Sequence, residues 1–383
     1  MEMLTRYARW VARSAVMLTM CGAVLLASAT AASAVSMTTD GNGVIIAAEG
    51  TAQQGTSHTL NFYWAPNGST TWTPETVQGP GVDSPPSMTT DGNGIIIAAE
   101  GPSNSLYFYW ALNGSSNWAS ERLPGSTAFA PSIATDGNNV IIAAEAPDNS
   151  LWFYWVTNGW SNWHAQEVAG PGTTYSAPSM TTDSDGTNTG VIISAEGRDN
   201  TLNFYSELNS SAFNGATNWP AQTLPGNAYS APSLTTDGTG ANTTVVVSAE
   251  GAYNSLYSYR APIDTQTWTP KQVGYAWSAP SSTPDGSNVL ISAQELSNSL
   301  NFYWGNPNIW YAKQVNGSYS TGSPTPPADG DGVTSVTTDG YGVILAAVGY
   351  NNSLDFYWAP NVDGPWTPEI ALNGAAPNGS VLG

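Results

Sequence analysis

Five glutamates open five equivalent loops of this sequence, at Glu49, Glu100, Glu145, Glu196 and Glu250. An amide follows at Asn104, Asn149, Asn200 and Asn254, four residues after its acid. His58 takes that place in the first copy, after an insertion; in two later copies Asn298 and Asn352 follow Gln294 and Val348 instead of an acid. A neighbouring loop brings an aromatic two or three residues before a recurrent proline: Phe129, Tyr175, Tyr229 and Trp277. An acid, an amide and a ring that converge on one surface suit a sugar. The polar pair can accept and donate hydrogen bonds to vicinal hydroxyls, and the ring can cover the apolar C–H face. A plainer reading stays open for each polar residue: the asparagine closes a turn, and the glutamate sits solvated at a strand end. Gln294 and Val348 show that a repeat folds without the acid.

Other chemistries find less support. His58 and His164 lie in different loops without ligand spacing, and the single cysteine, Cys21, lies near the N-terminus, so no metal site is expected. Asp183-Ser-Asp-Gly-Thr-Asn188 has the flavour of a calcium loop, but it reads better as one lengthened hairpin. A sialidase clamps its substrate carboxylate with three converging arginines. Here Arg122, Arg198 and Arg260 fall at non-equivalent places in their repeats. Paired carboxylates can hydrolyse a glycoside, yet no two of the five glutamates stand out. No phosphate loop or nucleophile elbow occurs in its proper context. No cofactor and no catalytic residue is assigned.

These residues recur because the chain is one unit repeated seven times. An aspartate marks the copies at Asp40, Asp91, Asp136, Asp183, Asp237, Asp285 and Asp339, and a tryptophan closes them at Trp72, Trp118, Trp163, Trp219, Trp268, Trp310 and Trp366. Each copy holds four strand-like runs. Strand A is short, as in Ser87 to Thr90, and usually enters through a proline, tolerated where no ladder N–H is needed. An Asp-Gly turn leads to strand B, whose apolar run from Ile95 to Ala99 suits burial on both faces. Strand C, Ser105 to Trp110, is aromatic, and an Asn-Gly turn then leads to strand D.

Four antiparallel strands per repeat of about 50 residues predict an all-β, seven-bladed β-propeller. A closed ring buries both faces of every blade, whereas an open stack would leave two apolar ends. The blades are expected near 35–84, 85–129, 130–176, 177–230, 231–278, 279–331 and 332–383. Closure rests either on packing of blade 7 against blade 1 or on a strand from the tail after Asn373. In this fold the D–A and B–C loops share one rim, which gathers the acids, amides and aromatics. The Tyr63 position, occupied by tyrosine in all seven copies, reads as blade-to-blade core, as do the recurrent tryptophans.

Composition sets the surroundings. Only 9% of the 383 residues are charged, while 41% are hydrophobic and 16 are Trp, so the chain can bury a core. With 39 Gly and 26 Pro it must turn often, which excludes long helices as the main element. Net charge is −20 with eight Lys and Arg, which excludes a nucleic-acid binder of the electrostatic kind. Residues 1–34 read as a secretory signal: Arg6, Arg9 and Arg13, an apolar run from Ala15 to Ala27, and Ala32-Ser33-Ala34 as cleavage site. That run is short for a membrane span, and Cys21 leaves with it. The expectation is an exported protein without disulfides or membrane insertion.

The run Asp148-Asn-Ser-Leu-Trp-Phe-Tyr-Trp155, followed by Trp163 and Glu167-Val168, resembles the repeat of seven-bladed bacterial lectins typified by the Photorhabdus lectin group. It is similar, more distantly, to tachylectin-type propellers. The resemblance implies a propeller that binds fucose-like or N-acetylated sugars between or on blades. The sequence departs from it in strand B, which carries Ile-Ala-Ala-Glu where those lectins often have an aromatic and a basic residue. The expected function is therefore non-catalytic binding of glycans or cell-surface polysaccharide at several rim sites. A protein–protein scaffold and a glycoside hydrolase are the alternatives. Exposed rim aromatics beside Glu favour the first, a broad apolar patch the second, and one deep site with two close carboxylates the third.

Overall fold

The computed structural model describes residues 34–52, 58–67, 69, 71–159, 161–184, 189–215, 219–238, 243–263, 265–286, 288–295, 299–318, 334–348, 354–362 and 364–372. The expected leader up to Ser33, Asn298, Asn352 and the tail from Asn373 lie outside them, as does most of the calcium-like loop. Seven four-stranded sheets follow one another along the chain, and in each the strands pair antiparallel in sequence order. They occupy 34–76, 87–126, 132–169, 179–227, 233–275, 281–318 and 334–372. In blade 2 strand A is Ser87–Thr90, strand B Gly94–Gly101, strand C Ser105–Leu112 and strand D Ala119–Ser126. The chain is an all-β, seven-bladed propeller, and no helix among the described residues is long and apolar enough to cross a membrane.

The core lies between blades. Successive side chains of a strand point to opposite faces. Ile95 and Ile97 of strand B therefore pack on Leu60 and Phe62 of blade 1, while Ile96 and Ala98 pack on Ile142 and Tyr154 of blade 3. All eight residues of that strand are buried. Every hydrophobic cluster among the described residues straddles two neighbouring sheets in this way, the last joining blade 7 to blade 1. Each fully buried Ile or Phe contributes about 1.5–3 kcal/mol.

Aromatic pairs repeat at the junctions. The strand C phenylalanine of one blade meets the closing tryptophan of the next: Phe62 with Trp118, Phe108 with Trp163, Phe153 with Trp219, Phe204 with Trp268, Phe302 with Trp366 and Phe356 with Trp72, at centroid distances of 4.9–5.2 Å. Between blades 5 and 6 the phenylalanine is replaced by Ser258. There the buried Arg260 guanidinium lies over the Trp310 ring at 5.5 Å and pairs with Asp237 at 3.2 Å. Burial lowers the Arg260 pKa and the Asp237 charge opposes that shift. The turn aspartates elsewhere do close their turns: one oxygen each of Asp40, Asp91, Asp136 and Asp339 accepts from the N–H groups two and three residues on.

Strand A needs a further device, because its inner edge has no strand partner. The serine at the head of each strand A accepts a hydrogen bond from a main-chain N–H of the next strand A. The donors are Met88, Ile133, Met180, Leu234, Ser282 and Val336, acting on Ser36, Ser87, Ser132, Ser179, Ser233 and Ser281, and Met37 acting on Ser335 closes the circle, at 2.9–3.2 Å. The sheets of blades 1 and 7 are each built from four consecutive strands. Closure thus runs through packing and this serine belt, with no strand exchanged among the described residues.

The recurrent tyrosine bolts each junction. Tyr109 donates its hydroxyl to Pro80 O at 2.9 Å and Tyr303 to Tyr275 O at 2.9 Å, each reaching strand D or its exit in the preceding blade. At Gly125, Gly226 and Gly274 an added Cβ would overlap Tyr154, Tyr259 and Tyr303. The glycines are there because a ring occupies the space. Gly125→Ala should accordingly destabilise the protein by about 1–3 kcal/mol through overpacking. Tyr154→Phe in the same chain should recover part of that loss, so that a double-mutant cycle by thermal unfolding departs from additivity.

Candidate functional site

The D–A/B–C rim is built from two loops locked together. In blades 2, 4 and 5 a glutamate stands at or one residue before the end of strand B, and a tight turn follows with two successive residues at positive φ: Ser103 and Asn104, Asp199 and Asn200, Tyr253 and Asn254. This is the mirror-image turn that suits the twist of a hairpin, and asparagine tolerates it well. From there each asparagine amide reaches back to its glutamate: Asn104 Nδ2 to Glu100 Oε1 at 2.9 Å, Asn200 to Glu196 and Asn254 to Glu250 both at 3.1 Å. In blade 3 Asn149 alone has positive φ, and its amide meets Glu145 Oε1 at 2.8 Å. In blade 1 His58 Nδ1 lies 2.5 Å from Glu49 Oε1 and takes the amide's place.

The preceding D–A loop covers these acids. A main-chain N–H of that loop donates to the main-chain oxygen at the end of strand B: Asp83 to Glu100, Ala128 to Glu145, Tyr175 to Glu196, Tyr229 to Glu250 and Trp277 to Gln294, at 2.7–2.9 Å. The next residue is a serine in four of them, Ser84, Ser176, Ser230 and Ser278, and Ser84, Ser176 and Ser278 accept from the N–H of Glu100, Glu196 and Gln294. Tyr175, Tyr229 and Trp277 thus stand at one equivalent place, with rings 40–50% exposed. Asp83 and Ala128 hold that place in blades 2 and 3, and Phe129 sits one residue later, in the position of the serine. The four aromatics are therefore three equivalents and one outlier.

The asparagine is both turn former and partner of the acid. The plainer reading of the glutamate does not hold, since Glu100, Glu145 and Glu250 are buried beneath the D–A loops. Burial and the charges of Asp83 and Glu49 push the Glu100 carboxyl up to about 7, against the hydrogen bond from Asn104. Glu145 is also pushed up to about 7, chiefly by burial. Burial raises Glu196 as well. A carboxyl poised near neutrality can donate through its proton as well as accept. Glu145 is wholly buried, and its Oε2 has no hydrogen-bond partner.

The junction of blades 1 and 2 differs from the rest. It gathers Glu49, His58, Asp83 and Glu100, and it has an exposed carboxylate where blades 4 to 6 have a ring. No group of three or more metal-ligating side chains able to hold an ion occurs among the described residues. Sequence reasoning overlooked Tyr253 and Tyr275, two exposed rings on the same rim. Their signal was a departure from the repeat: only blade 5 has aromatics there. It also overlooked the belt serines, although a serine heads strand A in all seven copies.

No protein-family model matches this chain, and no curated protein matches it in sequence. Solved structures do match its shape. The BP39L lectin from Burkholderia pseudomallei superposes with a TM-score of 0.72 at 13% identity, over 88% of this chain and 98% of that one. The SapL1 lectin in complex with alpha methyl fucoside matches at 0.54 and 12%, over 75% and 97%. An alpha-L-arabinanase from Penicillium chrysogenum, complexed with arabinobiose, matches at 0.50 and 15%, over 74% and 94%. At these identities the likeness is one of fold.

The raised carboxyls make stability depend on pH with a definite sign. A group held above its ordinary 4.5 binds its proton more tightly in the folded chain. Its contribution is whole below about pH 4.5 and is lost as pH rises through about 7. Glu145→Gln stays neutral throughout. Its melting temperature relative to the parent should therefore climb between pH 4.5 and 8 in scanning calorimetry, and parallel curves would show that Glu145 titrates normally.

Proposed function

We propose that the protein is an exported, non-catalytic lectin that binds glycans at several similar places on the D–A/B–C rim. The observation that carries this reading is the repeated association of an amide-bonded glutamate, half-buried at Glu196 and buried at Glu250, with a half-exposed ring on the loop that covers it, at Tyr175–Glu196 and Tyr229–Glu250. The Asn200–Glu196 bond uses one carboxyl oxygen and one amide hydrogen of that pair, and sugar hydroxyls can bond to the second amide hydrogen and the second carboxyl oxygen. The lectins of like fold lend support, including one solved with a fucoside. Kinship with the Photorhabdus lectin group belongs to the same proposal. Single sites near 1 mM, about −4 kcal/mol, would suffice, because a rigid ring gains avidity on a multivalent surface.

A second reading, glycoside hydrolysis, is favoured at one junction only. There Glu100, pushed up to about 7, has the proton-donor character of a general acid, and the exposed Asp83 bears on it. An arabinanase shares the fold. On this reading Glu100→Gln would abolish release of sugar from an aryl-glycoside panel; on the lectin reading the parent releases none.

The lectin reading is tested with a glycan array followed by titration of the strongest ligand. Glu196→Gln with Tyr175→Ala should weaken binding about tenfold or more at that site, while thermal unfolding near pH 5 stays within 1–2 °C, since the ring is exposed. Binding untouched by both changes would place the sugar sites elsewhere.

A further inference from the structure

We infer that the rim of blade 5 is a platform for a chain of neutral sugar units, distinct in kind from a site for one terminal sugar. The inference rests on the glycan reading above and adds Tyr253 and Tyr275, which that reading does not use. Tyr253 is 94% exposed and holds φ +60° at the first central position of the B–C turn, where blades 2 and 4 place Ser103 and Asp199. A bulky side chain is disfavoured in that region of backbone space, and with the ring in solvent no packing offsets the strain. Folding alone gives no reason for a tyrosine there.

Three more exposed rings lie on the two loops bonded to this turn. On one side Tyr229 N–H donates to Glu250 O at 2.9 Å, which fixes the loop from blade 4 against the base of the turn. On the other, Ala276 N–H donates to Asn254 O at 2.9 Å, which fixes the loop to blade 6 and brings up Tyr275 and Trp277. Tyr229, Tyr275 and Trp277 are each about half exposed. The two flanking loops leave neighbouring blades, whose packed sheets are separated by about 10 Å. Rings on both loops, with Tyr253 between them, therefore span more than a single pyranose ring.

The composition of the two rims identifies the occupant. Among the described residues, every large exposed hydrophobic on this rim is aromatic, Phe129 and Tyr175 completing the set. The opposite rim mixes rings with Leu112, Leu208 and Ile309. A lipid or an apolar protein partner takes aliphatic and aromatic surface alike, whereas the C–H face of a sugar is drawn to the π-face of a ring, and Tyr and Trp add a polar handle at the edge. The charge pattern disfavours an acidic chain, since the exposed Arg198 on the blade 4 turn is the one Arg or Lys side chain of this rim among the described residues. Arg260, a basic residue of blade 5, is buried against Asp237 toward the other rim, and Lys271 sits mid-strand opposite Ser258. The rim itself carries Glu250, and the chain as a whole is at −20.

The test titrates the protein with cello-, xylo-, manno- and chito-oligosaccharides of one to six units, and with polygalacturonate as an acidic chain. In one of the neutral series affinity should rise at least tenfold from one unit to four, and polygalacturonate should bind no better than the monosaccharide. Tyr253→Asn, whose new residue suits the turn, should lose about tenfold on the longer oligomers and nothing on the monosaccharide. Tyr341→Ala on the opposite rim should change neither. Equal affinity for one unit and six, a silent Tyr253→Asn, or preference for polygalacturonate would overturn the platform and leave the lectin reading standing if Tyr175→Ala still weakens binding. Binding of no sugar by the parent would overturn both.

Discussion

No blade of this protein has a core of its own. Alternate side chains of strand B serve two different neighbours, Ile95 and Ile97 on one side, Ile96 and Ala98 on the other, so each sheet is stable only between two others. A linear stack built in this way would end in two apolar faces. The ring removes them by packing Val35, Met37 and Ile46 of the first blade on Ile344, Leu354 and Phe356 of the last. The remaining structural devices serve that mutual dependence: the serine belt, the Phe–Trp contacts and the tyrosines seated over glycines.

The same dependence builds the rim. A loop that leaves one blade is bonded to the strand end of the next, and in doing so it buries a glutamate and holds a ring at the surface. The acid is thereby desolvated, and its pKa rises because water no longer stabilises the charge. The geometry repeats while the side chains drift. Asp83, Ala128, Tyr175, Tyr229 and Trp277 occupy one place with a polar, a small and three aromatic groups. One scaffold can in this way carry an acidic junction at blades 1 and 2 and an aromatic quarter around blade 5.

Where the repeat loses a standard part, the packing finds a substitute. Ser258 removes the phenylalanine from the junction of blades 5 and 6, and Arg260 fills the gap over Trp310. Its charge is tolerated in the interior because Asp237 and the Gly305 carbonyl both receive it. Here an aspartate that closes a turn elsewhere has been taken up as a counter-ion.

The repeat, the strand count, the turns and the propeller were legible in the sequence alone, because each depends on local periodicity and on turn chemistry that seven copies display seven times. The rim assignment of the glutamates, amides and aromatics followed from strand alternation. What the sequence could not decide were relations between blades. Whether Glu145 is solvated or sealed, whether Phe129 matches Tyr175, which glycines lie under a tyrosine and how the ring closes all depend on contacts between residues some 30 to 300 positions apart. Such contacts leave no periodic trace in a single chain. They are set by the space that remains when two sheets meet, and only the tertiary structure supplies it.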